Sequence, residues 1–163
     1  MTPEVLRRLE IWHNDPVKFV VQAFGCKPEK WQAKAMRAIM KDDRVAVKSG
    51  HGVGKSALLA WIILWWLLTR FPSKIACTAP TSHQLDDVLW GEISKWYRKL
   101  PGAMKDLLTV TSDKVFLNDA PNEGFAVART ARKEKPEAFQ GFHSENMLFI
   151  VDEASGVDPI IFE

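Results

Sequence analysis

A short glycine-rich segment carries a lysine and a serine in a spacing suited to binding phosphate. It follows the pattern G-x-x-x-x-G-K-[ST], with a serine in place of the first glycine. Glycine lets the backbone turn its N–H groups toward an anion, the lysine can reach the β- and γ-phosphates, and the final hydroxyl can bind Mg²⁺. We therefore predict a phosphate-binding loop made of Ser49, Gly50, His51, Gly52, Val53, Gly54, Lys55 and Ser56.

An acidic pair follows an apolar segment near the end of the chain. The sequence MLFIV at 147–151 predicts a buried strand, and Asp152 and Glu153 come directly after it. Open α/β sheets build their sites at the carboxyl ends of strands. Asp152 is suited to hold Mg²⁺, and Glu153 is suited to act as a general base on water. The alternative is that the two residues are a surface pair that caps the next helix. Together with the loop, the pair indicates a Mg²⁺-dependent nucleoside triphosphatase.

Strands and helices alternate along the chain, and they must bring the loop and the acidic pair together. Residues 16–24 predict a short helix, a second begins near Pro28, and the loop leads into an apolar helix. Thr81 and Gln84 have the spacing of a capping box for a further helix. The segments 114–118 and 124–129 predict a hairpin or two adjacent strands. The other predicted strands are 44–48, 74–79 and 147–151. This order predicts an α/β fold with a mainly parallel sheet flanked by helices.

The composition excludes several classes of protein. The chain has 163 residues and a formal net charge of +2, which is too small to draw the whole molecule onto nucleic acid. The wholly apolar run at 57–68 has 12 residues, where a membrane span needs about 20, so we expect a buried helix and no membrane association. Cys26 and Cys77 form no metal-binding pattern, and the first residues lack the order of a signal peptide. These features predict that the protein is located in the cytoplasm.

Several segments together resemble the large subunit of bacteriophage terminase, the motor that pumps DNA into capsids. They are KWQAKAM, SGHGVGKS, CTAPTSHQ and AFQGFHSENMLFIVDEASGV, in that order. The resemblance implies a P-loop NTPase fold of the RecA/ASCE type and ATP hydrolysis that drives translocation of double-stranded DNA. The sequence contains no Asn-Lys-x-Asp guanine-reading motif, which also favours ATP. The expected partners are a small terminase subunit, a portal and further copies in a ring, in the host cell cytoplasm.

The resemblance also suggests roles for single residues. Trp31 and Gln32 resemble the adenine-side element, although Gln32 fits equally well as an exposed helical residue beside a Trp31 anchor. Gln84 lies in a segment shared with these motors and with helicases, but the capping box already explains it. Many terminases carry an arginine in the phosphate loop, which is absent here. Arg129 and Arg132 are the available substitutes for stabilising the transferred phosphoryl group. The same two arginines could instead bind DNA phosphates or lie on a solvated face.

The motifs divide the chain into two parts. Residues 1–43 are expected to form an N-terminal helical segment with the adenine-side element, and 44–163 a P-loop ATPase core that is truncated soon after the acidic pair, with no nuclease domain. Two alternatives stay open. One is a nucleotide-binding remnant without catalytic activity, and the other is a fragment of a DEAD-box-like helicase, which would need a second RecA-like domain.

Overall fold

Three short helices precede the predicted phosphate loop in the computed structural model, which describes residues 1–48, 50, 52, 54–130 and 142–156. They are α1 (Pro3–Asn14), α2 (Pro16–Phe24) and α3 (Lys30–Ile39). The Asp15 side chain caps α2, and Gly25 ends it with φ 63°, a left-handed conformation in which glycine is not strained. The predicted helix at 16–24 is therefore confirmed, and the second helix begins two residues after Pro28.

The apolar helix after the predicted phosphate loop is α4 (Lys55–Thr69), which is the centre of the core. Most of its side chains are buried, including Trp61 and Trp65. The indole Nε1 of Trp65 donates a hydrogen bond of 2.6 Å to the carbonyl of Trp12, which ties α4 to α1. The prediction of a buried helix is confirmed, and none of the helices in the described ranges is long and apolar enough to cross a membrane.

The sheet has five strands in the order β2-β3-β4-β1-β5. They are β1 (Ser73–Thr78), β2 (Leu108–Val110), β3 (Lys114–Leu117), β4 (Gly124–Ala128) and β5 (Asn146–Val151). β1 pairs in parallel with β4 and with β5, whereas β3 pairs antiparallel with both β2 and β4. The described sheet is therefore mixed and not mainly parallel, because the segments on either side of residues 118–123 form a hairpin.

One predicted strand is wrong in this structure. Residues 44–48 have no strand conformation and all are exposed, with Val45 at 38% and Val47 at 41%. A strand needs a neighbour for its backbone N–H and C=O groups. In the described part of the chain no strand pairs with this segment, and β5, at the edge of the sheet, pairs with β1 only.

The chain after β1 forms a helix with an unusual first half. A π-helical segment, His83–Leu89, leads into α5 (Trp90–Arg98), and the four-residue α6 (Gly102–Lys105) follows. One side of this helix is apolar and faces the core, since Leu85, Leu89, Ile93, Trp96 and Leu100 are buried and Val88 is partly buried. The π-helical turn widens the helix at the end nearest the acidic pair, and such turns are frequent at functional sites.

Candidate functional site

Three parallel strands end at one edge of the sheet and place the candidate residues there. β4 ends before Arg129, β1 before Ala79, and β5 before Asp152. The backbone N–H of Asp152 donates to the carbonyl of Thr78 at 2.9 Å, which continues the pairing of β1 and β5 beyond the strands. The sequence argument that the acidic pair would lie at the carboxyl ends of strands is therefore confirmed.

The predicted phosphate loop leads into the first turn of α4. Gly52 has φ 73° and Gly54 has φ 84°, conformations that residues with a side chain rarely adopt. Gly54 is the N-cap of α4, so the helix presents its unpaired N–H groups at the end where Lys55 and Ser56 begin it. Ser49, His51 and Val53, which we also predicted as loop residues, lie outside the described residues.

Gln32 joins α3 to the predicted phosphate loop. Its Nε2 donates to the Gly54 carbonyl at 3.1 Å, and its Oε1 accepts from the backbone N–H of Glu29 at 2.9 Å. A Cβ atom at Gly54 would lie 2.8 Å from the same Nε2, so a larger residue would displace the amide. Gln32 is buried, which overturns the alternative of an exposed helical glutamine. The adenine-side roles of Gln32 and of Trp31, whose indole donates to the Glu29 carboxylate, stay predictions.

Lys55 and Glu153 face each other across the site. The Lys55 Nζ lies 3.7 Å from Glu153 Oε1, and both side chains are partly exposed. Glu153 has φ 52°, which makes it the only described residue other than glycine with a positive φ. Strained backbone of this kind persists where the surroundings impose it and is concentrated at active sites. The strand end thus directs the Glu153 carboxylate toward the start of α4.

Asp152 is buried and is held by a residue whose part in the site the sequence did not reveal. Its Oδ2 accepts a hydrogen bond of 2.9 Å from Nε2 of Gln84, and Asp152 is only 5% exposed. Half of the predicted capping box is present, since the Gln84 backbone N–H donates to Thr81 Oγ1 at 3.1 Å. The Gln84 side chain turns to Asp152 instead of completing the box. The capping explanation was therefore incomplete.

No positively charged side chain in the described part of the chain neutralises Asp152. Among the described ion pairs, Lys55 pairs with Glu153, and no lysine or arginine lies within 4 Å of the Asp152 carboxylate. A buried carboxylate needs a countercharge or hydrogen bonds, because removing a charge from water is costly. The single amide donor on Oδ2 leaves Asp152 suited to receive a cation.

Arg129 lies at the same edge, two strands from Asp152. Its backbone N–H donates to the Cys77 carbonyl, and its guanidinium carbon lies 5.0 Å from the centre of the Phe142 ring. Burial raises the pKa of the Cys77 thiol, which keeps it protonated and unreactive. Arg132 lies outside the described residues, so the catalytic roles of both arginines stay predictions.

Comparison with known proteins finds similarity to a phage protein. No family model matches the chain. A protein of Enterobacteria phage P7 described as "Probable terminase, large subunit" is 26% identical over 144 residues, which cover 85% of this chain. The chain is similar to a terminase large subunit. This agrees with the resemblance shown by the sequence motifs. The match spans 29% of the length of the phage protein, so the terminase-like region described here corresponds to less than a third of its relative.

Proposed function

We propose that the chain is an ATP-binding and ATP-hydrolysing part of a DNA-packaging terminase large subunit. The observation that supports this most directly is the 3.7 Å approach of Lys55 to Glu153, because it joins the phosphate loop to the acidic pair. The similarity to the phage P7 protein supports the terminase assignment. By the same proposal the motor translocates double-stranded DNA, forms a ring of copies and engages a small terminase subunit and a portal.

Each residue of the site has a distinct part in the proposed reaction. The glycine loop and the start of α4 would hold the phosphates through backbone N–H groups. Lys55 would leave Glu153 for the β- and γ-phosphates, since the two phosphate groups together carry more negative charge than one carboxylate. Glu153, freed from the ammonium group, would accept a proton from the attacking water.

The oxygen donors at the site fit Mg²⁺. The described residues include no cluster of three or more His, Cys, Asp or Glu side chains able to hold a metal. Mg²⁺ in nucleotide sites does not need one, because it keeps several waters and takes one or two carboxylates together with the phosphates. Asp152 and Ser56 would supply the protein's oxygen ligands. The ion, when bound, would neutralise charge on the phosphates.

Nucleotide binding tests the proposal. We expect calorimetry to show Mg²⁺-dependent binding of ATP or a non-hydrolysable analogue to the chain. Lys55→Ala should weaken it at least about 10-fold, because an ion-paired phosphate contact is lost. Lys18→Ala, the same change at an exposed position of α2, is the matched control and should bind normally. Absence of Mg²⁺-dependent affinity in the unaltered chain would refute the proposal.

Gln84 provides a second prediction about the same site. Gln84→Leu removes the amide that orients the Asp152 carboxylate, and we expect the Mg²⁺ concentration needed for nucleotide binding to rise about 10-fold, as for other residues that orient metal ligands. Mg²⁺ titration at fixed nucleotide measures this. The neighbouring His83→Leu, which breaks only the exposed contact of His83 with Asp87, should leave the titration unchanged. An unaltered Mg²⁺ requirement in Gln84→Leu would show that the hydrogen bond does not position Asp152.

A further inference from the structure

An open groove is lined by residues of α2, of α3 and of the segment between them. Its volume is about 570 Å³. Val17 and Val21 of α2 and Ala33 of α3 form an apolar floor, and Val21 is 44% exposed. Lys27, Lys30 and Arg37 form the rim. The groove therefore combines an apolar floor with a positively charged border.

The three rim cations are free to pair with a ligand. All three are exposed, and in the described ranges none has a carboxylate within 4 Å. Among the described residues that line the groove, none is acidic. The chain as a whole is nearly neutral at +2, so this border is a local concentration of positive charge.

The spacing along the helices makes the groove elongated. Val17 and Val21 are four residues apart on α2, and Lys30, Ala33 and Arg37 follow at intervals of three and four on α3. Residues at these intervals share one helix face. The floor and rim together extend over about two helical turns, roughly 10 Å at 1.5 Å per residue.

We propose that this groove is the docking site for an acidic amphipathic helix of a partner protein. Apolar side chains of the partner at intervals of three and four residues would cover Val17, Val21 and Ala33, the usual mode of helix-in-groove recognition. Flanking glutamates or aspartates would pair with the rim. A nucleic acid fits less well, because its phosphates would use the rim and leave the apolar floor in water.

The groove has a structural connection to the phosphate loop. α3 lines the groove with Ala33 and Arg37, and from another side of the same helix Gln32 donates to the Gly54 carbonyl. A partner that shifts α3 would therefore act on the loop through this hydrogen bond. The docking proposal itself does not depend on nucleotide binding and can be tested without nucleotide.

A designed peptide tests the groove directly. The probe is a fluorescein-labelled helix with leucines at intervals of three and four residues, flanked by glutamates, and binding is followed by fluorescence anisotropy. We expect a dissociation constant in the range of about 10–100 µM for so small an interface, weakening as salt is added. A peptide of the same composition in scrambled order should bind at least about 5-fold more weakly, since the apolar face is lost.

Variants locate the binding. The triple change Lys27→Glu, Lys30→Glu and Arg37→Glu should weaken the peptide at least about 10-fold, by adding the effects of three exposed ion pairs. The same charge change at the end of α5 and its C-cap, Lys95→Glu with Arg98→Glu and Lys99→Glu, is the matched control and should bind as the unaltered chain does. Val21→Ser leaves the charges of the rim unchanged and removes apolar contact at the floor. It should weaken peptide binding about 3-fold.

Two further measurements can overturn the proposal. A peptide with lysines in place of the glutamates should bind the triple variant and not the unaltered chain. Equal binding of the acidic peptide to the unaltered chain and to both the triple and Val21→Ser variants would exclude the groove. If a short DNA duplex binds more tightly than the peptide, and the triple change but not Val21→Ser abolishes its binding, the surface is a nucleic-acid contact and the proposal is wrong.

Discussion

Glu153→Gln is expected to lower the rate of ATP hydrolysis at least about 100-fold, the usual contribution of a positioned general base. Glutamine keeps the size and the polar oxygen of the side chain but cannot accept the proton from water. The left-handed backbone at Glu153 and the end of β5 are unchanged by the substitution, so the loss would be chemical and not structural.

Nucleotide affinity should change in the opposite direction. Glu153 pairs with Lys55 at 3.7 Å, and a bound nucleotide must draw the ammonium group away from it. The neutral glutamine holds Lys55 less strongly, so we expect the affinity for Mg²⁺ and nucleotide to be equal to or greater than that of the unaltered chain. A slower reaction with undiminished binding distinguishes a lost base from a damaged site.

Phosphate release under steady-state conditions, with calorimetry beside it, measures both effects. Glu145→Gln is the matched control, because this exposed glutamate precedes the opposite end of the same strand. It should leave turnover and binding unchanged. If Glu153→Gln hydrolyses ATP as fast as the unaltered chain, Glu153 is not the base. If the unaltered chain and Glu153→Gln both bind nucleotide and neither of them hydrolyses it, the chain is a nucleotide-binding remnant without catalytic activity.

The sequence predicted the helices and strands whose positions depend on neighbouring residues. Asp15 and Gly25 mark the two ends of α2, and the structure has a side-chain cap at one and a left-handed residue at the other. The apolar strand before Asp152 is also where it was expected. These features need only neighbouring residues, which a single sequence displays.

Features that depend on distant partners were missed. The alternation in 44–48 indicates a tendency to form a strand, but the segment has no paired neighbour among the described strands and stays exposed. The three-residue β2 is too short to give a pattern. The contact of Gln84 with Asp152 joins residues 68 positions apart. The local signal for Gln84 is its spacing from Thr81. That spacing predicts the hydrogen bond of the Gln84 backbone N–H and does not predict the direction of the Gln84 side chain.

Trp65→Ala is expected to have the largest effect on stability. Trp65 is fully buried at the centre of α4, its indole donates to the Trp12 carbonyl at 2.6 Å, and the guanidinium carbon of Arg70 lies 4.2 Å from its ring centre. Removing a buried tryptophan costs about 3–5 kcal/mol, a large part of the roughly 5–15 kcal/mol that stabilises an ordinary domain. We therefore expect the variant to unfold at much lower urea concentration or to be unfolded without it.

Urea unfolding followed by circular dichroism measures the difference, with two variants to separate its causes. Trp65→Phe keeps most of the apolar volume but removes one of the two donors to the Trp12 carbonyl, which still accepts from the backbone N–H of Asp15, so the lost hydrogen bond should cost about 1 kcal/mol. Trp31→Ala makes the same change at a half-buried position and should cost less than half as much as Trp65→Ala. Equal losses at Trp31 and Trp65 would mean that α4 is not the centre of the core. The apolar sequence beside the phosphate loop would then need an explanation other than packing.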